Sequence, residues 1–425
     1  MTNQGNNGGG TAVLTKQAET EARLLDRARE LMPVVQARAA EAEKQRRIPT
    51  ETDREFREAG FYRVLQPAAF GGLELSYGFH TQLAEEIGKG CPSSAWILGV
   101  IACHSWIFGM FPPEAQREFW SANPSATLAT SFFPDGATVK RESDGFRLNG
   151  RWKFSSGVDH CQGIVLMGFV RPISNPANTG GAAGSPASAP PVPYFLFVPR
   201  ANYKIEDTWH SAGLIATGSN DVILDNVFVP GHHSLEVMQS VNGKSPGGLF
   251  HESFLYRLPL FAVFGYTLVG TALGAAQAAL DFVADNLKAR SSSSAQSNAP
   301  TNKQREQESV QVRVAEAAAE IQAARAVLQV DRERINQQGR AGNFPSDEER
   351  VTYRLNLGYA TQLCVSAVER LYPLSGAQNI GMDNPLQRAW RDVHAVSLHV
   401  GLRWDLNAVN FGAVKLGLKC PDPRV

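Results

Sequence analysis

Cysteine is scarce in this chain. Its five thiols, Cys91, Cys103, Cys161, Cys364 and Cys420, include no C-x-x-C pair. A disulfide framework and a zinc-ribbon spacing are thereby disfavoured, and reduced, partly buried thiols of a cytoplasmic protein are expected. Charge of one sign is also missing, since 41 Lys and Arg balance 41 Asp and Glu. A nucleic-acid binder needs a basic face to offset phosphate, so that class is disfavoured too. Neither G-x-G-x-x-G nor G-x-x-x-x-G-K-[ST] occurs. The longest apolar stretch, around Leu258 to Leu280, is interrupted by Gly265, Gly270, Gly274 and Gln277 and has no basic flank. It reads as a buried core helix and not as a membrane span. The polar, Gly-rich segment from Met1 to Ala12 does not have the basic-then-apolar order of a secretory signal.

A hydrophobic fraction of 43% is enough for a sizeable core. Residues 1–17 read as a disordered tail, and 18–122 as a helical domain. Within it, Leu24, Ala28, Leu31, Met32, Val35 and Ala39 recur at helical spacing. The period switches near Ser125, and short β-forming segments separated by turn residues fill 123–235. Asn149-Gly150 reads as a two-residue hairpin turn inside this region. Residues 172–193, almost wholly Pro, Gly, Ala, Ser and Asn, read as a flexible insertion. From 246 to 425 four long helices are expected, the last from Asn384 to Lys415. The expected fold class is therefore α+β: a helical domain, a central antiparallel sandwich or barrel, and a four-helix bundle.

The residues within this order carry a family resemblance. Phe146-Arg147-Leu148-Asn149-Gly150-Arg151-Trp152-Lys153-Phe154-Ser155-Ser156-Gly157 resembles the acyl-CoA dehydrogenase segment Y-x-L-N-G-x-K-x-W-I-T-N. Trp209 to Ser219 followed by Asp225 to Pro230, and Arg388 to His394, resemble two later family motifs. However, counting from Asp392 to the family's proton-abstracting Glu lands on Val400, which cannot take a proton. Ser94-Ala95-Trp96, Ala102 to Trp106, Ala129 to Phe132, Phe154 to Cys161 and Arg391 to His399 instead resemble the oxygenase components of two-component flavin-dependent monooxygenases. The hydroxyphenylacetate and steroid-ring phenol hydroxylases belong to that branch.

The resemblance implies a reduced flavin (FMNH2 or FADH2) delivered by a separate NAD(P)H:flavin reductase. It also implies O2, a C4a-hydroperoxyflavin, no metal, a small aromatic, phenolic substrate, and a homotetramer. In such chemistry the flavin supplies the oxygen transfer, while the protein supplies positioning, electrostatics and water exclusion. By position Ser156 is assigned a hydrogen bond to flavin N5 or O4, with Ser155 beside it; without the resemblance it is a turn serine. His399 is expected to face the reacting flavin carbon and the substrate, as a proton acceptor from a phenol or a partner of the peroxide. His394 sits on the other face of the same expected helix and reads as structural. His104 is a substrate partner by resemblance and a satisfied core histidine by itself. Trp96 lines the flavin or substrate cavity, and Ser131 reads either as a flavin contact or as a strand-end serine. Arg257 could bind a flavin phosphate or a substrate carboxylate, or be a surface cation. Arg290 could reach the flavin of a neighbouring subunit. A diverged acyl-CoA dehydrogenase and a flavin-free scaffold are the two competing readings.

Overall fold

The structure is a computed structural model; it describes residues 7–171, 190–293 and 304–425, with the side chains of 7–13, 290–293 and 378 outside that description. Five helices come first: α1 (Asn7–Gln45), α2 (Thr50–Ala59), α3 (Phe79–Gly88), α4 (Pro92–Phe108) and α5 (Pro113–Trp120). Of the expected tail, 1–6 lies outside the described residues, and from Asn7 onward it is corrected, because α1 begins there. Thr11 to Ala22 is rich in good helix formers and continues the periodic stretch without a break. Gln17 also anchors it, donating to Glu74 O at 3.4 Å and accepting from Arg340 at 3.2 Å.

Helix α4 holds the centre. All of its residues from Pro92 to Phe108 are buried, as an all-round apolar helix requires. It lies so close to the first bundle helix that a Cβ on Gly99 would meet Thr267 O at 2.2 Å. Pro92 at its first turn and apolar residues on every side therefore suit it to an interior position and to no other.

Two four-stranded sheets follow, ordered β1-β4-β5-β8 and β2-β3-β7-β6. Their strands are β1 (Leu128–Ser131), β2 (Phe133–Glu142), β3 (Gly145–Ser155), β4 (Gly163–Val170), β5 (Val192–Pro199), β6 (Lys204–Glu206), β7 (Asn220–Pro230) and β8 (Ser234–Glu236). All pairs are antiparallel except β1 with β4. Buried Trp152 of β3 donates to Met167 O of β4 at 2.8 Å, which ties one sheet to the other. Of the expected insertion, 172–189 lies outside the described residues, while Val192 and Pro193 belong to β5.

The hairpin expected at Asn149-Gly150 is not formed. These residues sit inside β3, and the chain turns at Ser143-Asp144, between paired Glu142 and Gly145. The pairing with β7 shifts between Leu148 and Gly150, and Gly150 has φ 121. The extra residue of this bulge lies on β7, where Asn226 has φ 53, while a Cβ on Gly150 would meet Ala137 Cα at 2.6 Å; a close backbone approach asks for glycine as a turn does.

Three short helices, α6 (Val237–Val241), α7 (Pro246–Phe250) and α8 (Leu260–Val263), lead to the bundle of α9 (Tyr266–Ser293), α10 (Glu308–Arg340), α11 (Asp347–Leu371), α12 (Pro385–Ser397) and α13 (Trp404–Lys415). The stretch Leu260–Ala289 is long and apolar enough to cross a membrane, but 89% of its most apolar window is buried against the rest of the chain. The single helix expected from Asn384 to Lys415 is broken between Ser397 and Trp404. Ser397 Oγ bonds back to His394 O at 2.8 Å, and Gly401 follows, so the helix ends and the chain turns.

Candidate active site

A cavity of about 820 Å³ opens where α4, the end of β3, the 209–219 loop, α9 and the α12–α13 turn meet. Its walls are mostly apolar, with Trp96, Val100, Phe132, Phe154, Phe264 and Leu398 among them. No Asp or Glu lines it among the described residues. Its cations are already engaged: Arg391 pairs with Glu43 at 2.9 Å and Arg403 with Asp405 at 2.6 Å.

A β-bulge shapes one wall. The β3–β7 pairing shifts between Trp152 and Ser155, and Phe154 takes φ 64, a left-handed conformation rare for a bulky residue. The extra residue turns Phe154 outward to the rim, edge-on to both Phe133 and Trp209. Ser155 is turned inward, fully buried, with no partner for Oγ and no place in the cavity wall. Ser156 is half-buried and lines the cavity.

Ser156 Oγ belongs to a chain of hydroxyls. Trp96 Nε1–H donates to it at 3.1 Å, and it lies 2.7 Å from Ser219 Oγ. Ser219 Oγ lies 2.7 Å from Thr217 Oγ1, which donates to Leu214 O at 2.9 Å. Ser219 and Thr217 were not singled out in the sequence; only their place in the Trp209–Ser219 motif pointed to them.

His399 lies in the turn after α12 and not on that helix, which corrects the expectation that it shares a helix with His394. The two rings are therefore not set on opposite faces of one helix, and both line the cavity. Burial pushes the His399 pKa down to about 4, so the ring is neutral near pH 7. Gly401 N–H donates to Nδ1 at 3.1 Å. An accepting Nδ1 leaves the single proton on Nε2. The ring is held edge-on to Trp96, with centroids 5.8 Å apart, and stacked on Phe264 at 6.0 Å. His394 donates from Nε2 to Glu369 at 2.9 Å, while its Nδ1 lies 2.7 Å from Trp390 O.

His104 borders the cavity from within the core. Its Nδ1 donates to Leu128 O at 2.8 Å, and its Nε2 accepts from Thr130 Oγ1 at 2.9 Å. Burial lowers its pKa to about 4, against the opposing effect of the Leu128 carbonyl. Both ring nitrogens are thus satisfied, and Thr130 lines the cavity beside this imidazole. Ser131 lines the cavity but spends its proton on Lys153 O at 2.5 Å.

Arg257 is not brought to the cavity. Its guanidinium donates to the carbonyls of Gly248, His251 and Glu252 and closes the loop before α8, which corrects its assignment to a flavin phosphate or a substrate carboxylate. The side chain of Arg290 lies outside the described residues.

The 209–219 loop is latched to α12. Asp392 accepts from Leu214 N at 2.6 Å, and Arg391 donates to Ala212 O at 2.8 Å. Burial raises the Asp392 pKa to about 7, despite the Leu214 hydrogen bond and neighbouring Arg391. Leu214 itself has φ 51, and its carbonyl ends the hydroxyl chain. One possible metal-ligand group lies away from this cavity, where His232 and His233 both donate to Glu118. His233 Nδ1 is buried without a partner, so this group does not have the outer hydrogen bond that orients a metal-bound imidazole.

Comparison with known proteins agrees with this architecture. Residues 18–123 match the acyl-CoA dehydrogenase N-terminal domain, and 266–404 match the acyl-CoA dehydrogenase C-terminal domain. The chain is 33% identical over 410 residues to the oxygenase component of an FADH(2)-dependent resorcinol hydroxylase from a Rhizobium species, covering 95% of this chain and 96% of that one. Among solved structures, the 3-HSA hydroxylase of Rhodococcus sp. RHA1 superposes with a TM-score of 0.86 at 28% identity, covering 95% of this chain and 98% of that one. XiaF from a Streptomyces species, solved with FADH2 and glycerol, gives 0.86 at 25% identity, covering 97% and 100%. The fold is that of the acyl-CoA dehydrogenases. The chain belongs to the oxygenase components of flavin-dependent monooxygenases built on it.

Proposed function

We propose that this oxygenase component takes reduced flavin from a separate reductase and, with O2, hydroxylates a small phenol in the cavity described above. The observation that carries this reading is a neutral, Nε2-protonated His399 and the Ser156 hydroxyl, both in contact with Trp96, in an apolar chamber. The residues fit the group: a volume of about 820 Å³ lies within the range of small-molecule and cofactor sites, and flat aromatic walls suit a planar ring system. A bound reduced flavin would supply the electrons and, with O2, the oxygen atom that is transferred.

The protein's share follows from its own groups. Ser156 provides an accepting oxygen for a ring N–H. His399 Nε2–H provides a donor for an oxygen atom carrying developing negative charge, in surroundings where such a hydrogen bond is strong. With its proton on Nε2 and its pKa near 4, His399 is a poor base for a phenol and a good donor. Thr130, backed by His104, provides a hydroxyl for a substrate. The apolar walls exclude water, which limits wasteful proton transfer.

The dehydrogenase reading needs a carboxylate aimed into the cavity, and none of the described lining residues supplies one. Assembly into a homotetramer is part of the proposal. It is supported by the exposed apolar side chains Leu398, Val409, Leu416 and Leu418 on and beyond the α12–α13 turn. The test is to mix the protein anaerobically with reduced FMN or FAD, add oxygenated buffer and follow flavin absorbance. A transient unlike either free form, followed by hydroxylated product from a supplied phenol, supports the reading. Reoxidation identical to free flavin with no product overturns it.

A further inference from the structure

We infer that Ser219 and Thr217 are positioning residues that fix the direction of the Ser156 hydroxyl, so that Ser156 accepts and does not donate toward the cavity. The inference rests on the proposed flavin role of Ser156. Leu214 O can only accept, so the proton of Thr217 Oγ1 lies on that contact of 2.9 Å. The contact of 2.7 Å between Thr217 and Ser219 must then carry the Ser219 proton, because two facing lone pairs at that distance repel. By the same count the Ser156 proton occupies its 2.7 Å contact with Ser219. One proton serves each link, and the order is Ser156 to Ser219 to Thr217 to Leu214 O. Trp96 Nε1–H fills one lone pair of Ser156 at 3.1 Å, leaving the other for a ligand.

An accepting hydroxyl discriminates between the two redox forms of a flavin. Reduced flavin has a hydrogen on N5 and donates, whereas oxidised flavin has a lone pair on N5 and needs a donor. A Ser156 whose proton is committed elsewhere matches the first and opposes the second. The backing hydroxyls therefore make the site selective for the reduced cofactor without touching its N5.

The test measures dissociation constants of oxidised and reduced flavin, under anaerobic conditions for the latter, in the full-length protein and three variants. Ser219→Ala and Thr217→Val each free one proton of the chain and let Ser156 turn its own toward the cavity. The preference for reduced over oxidised flavin should fall roughly five- to tenfold, mainly through tighter binding of the oxidised form. Thr217→Ser keeps the hydroxyl and should keep the preference, which separates proton direction from packing. A preference unchanged in both disrupted variants, or lost equally in Thr217→Ser, overturns the inference. If the unmodified protein binds neither form, the flavin reading itself fails, and the inference fails with it.

Discussion

Trp96 stands edge-on to His399, with ring centroids 5.8 Å apart and planes at 66°, while its indole N–H is committed to Ser156 at 3.1 Å. One rigid side chain thus spaces the donor imidazole from the accepting hydroxyl. Its helix, α4, is buried along its whole length, so this spacing is held by the core and not by a loop.

Trp96→Phe tests that spacing. The substitution keeps an aromatic wall but removes the N–H, leaving Ser156 with an unfilled lone pair. Affinity for reduced flavin should drop by about 3- to 10-fold, the usual worth of one neutral hydrogen bond. Because the lost indole volume also leaves a gap beside His399, the yield of hydroxylated product per flavin oxidised should fall as well. Titration under anaerobic conditions and product quantification would check both; an unchanged affinity would place Ser156 away from the flavin.

Buried ionisable groups set the pH dependence of stability. His80 is held near 3 by burial and then by Arg332, and burial holds His104, His251 and His399 near 4. Unfolded imidazoles titrate near about 6.5, so at pH ~5 the unfolded chain binds more protons than the native one at all four sites. Asp331 and Asp392 oppose this, since burial raises them to about 6 and about 7, and there the native state holds the extra protons. From these six groups, stability should fall as pH drops from ~6.5 to ~4, with a net slope of roughly two protons near pH 5. Asp392→Asn keeps an acceptor for Leu214 N but removes one opposing proton, so the slope should steepen to roughly three. Denaturant unfolding at a series of pH values would show it. A flat profile would mean that these imidazoles are not held neutral.

The sequence carried the architecture because composition changes sharply along it. The all-apolar run of α4, the β-rich centre and the long periodic helices each have a local signature, and the family motifs point to Trp96, Ser156 and His399, which the fold brings to one cavity. Other features depended on information that is not local. Asn149-Gly150 reads as a turn because a close approach of neighbouring backbone asks for the same residue type. The helix break before His399 came from a serine back-bond and a glycine within an otherwise helical pattern. The Ser156–Ser219 contact joins residues separated by 63 positions, and no periodicity reveals it. Arg257 had the right charge in a suggestive place, but its guanidinium had three carbonyls to satisfy nearby.

The loop latch gives a third prediction. Asp392→Ala removes the acceptor for Leu214 N and leaves unpaired the buried amide of a residue that itself has φ 51. The expected cost is about 1–3 kcal/mol, concentrated in the 209–219 loop. Amide hydrogen exchange should rise across Trp209 to Ser219 while α9 and α11 keep their protection. Reduced flavin should bind more weakly, because Leu214 O terminates the hydroxyl chain. Uniformly increased exchange would mean that Asp392 supports the whole bundle and not this loop.

His399 is the sharpest test of the proposed chemistry, because its tautomer separates two roles. As a proton acceptor from a phenol it would need a free Nε2 lone pair; the Gly401 N–H on Nδ1 puts a proton there instead. His399→Ala should therefore lower the hydroxylation rate by about 10²–10³, the range for losing one buried donor to a charge-bearing oxygen. Reduced-flavin affinity should change by only a few-fold, and released hydrogen peroxide should rise as product falls. His399→Asn, which can still offer an N–H, should recover part of the rate. The native enzyme should show no acid limb assignable to His399 between pH ~5 and ~8, since burial keeps its pKa near 4. An acid limb near pH 6.5 that disappears in His399→Ala would show that the ring titrates in the working range. It would then be the base, and the donor role would be wrong.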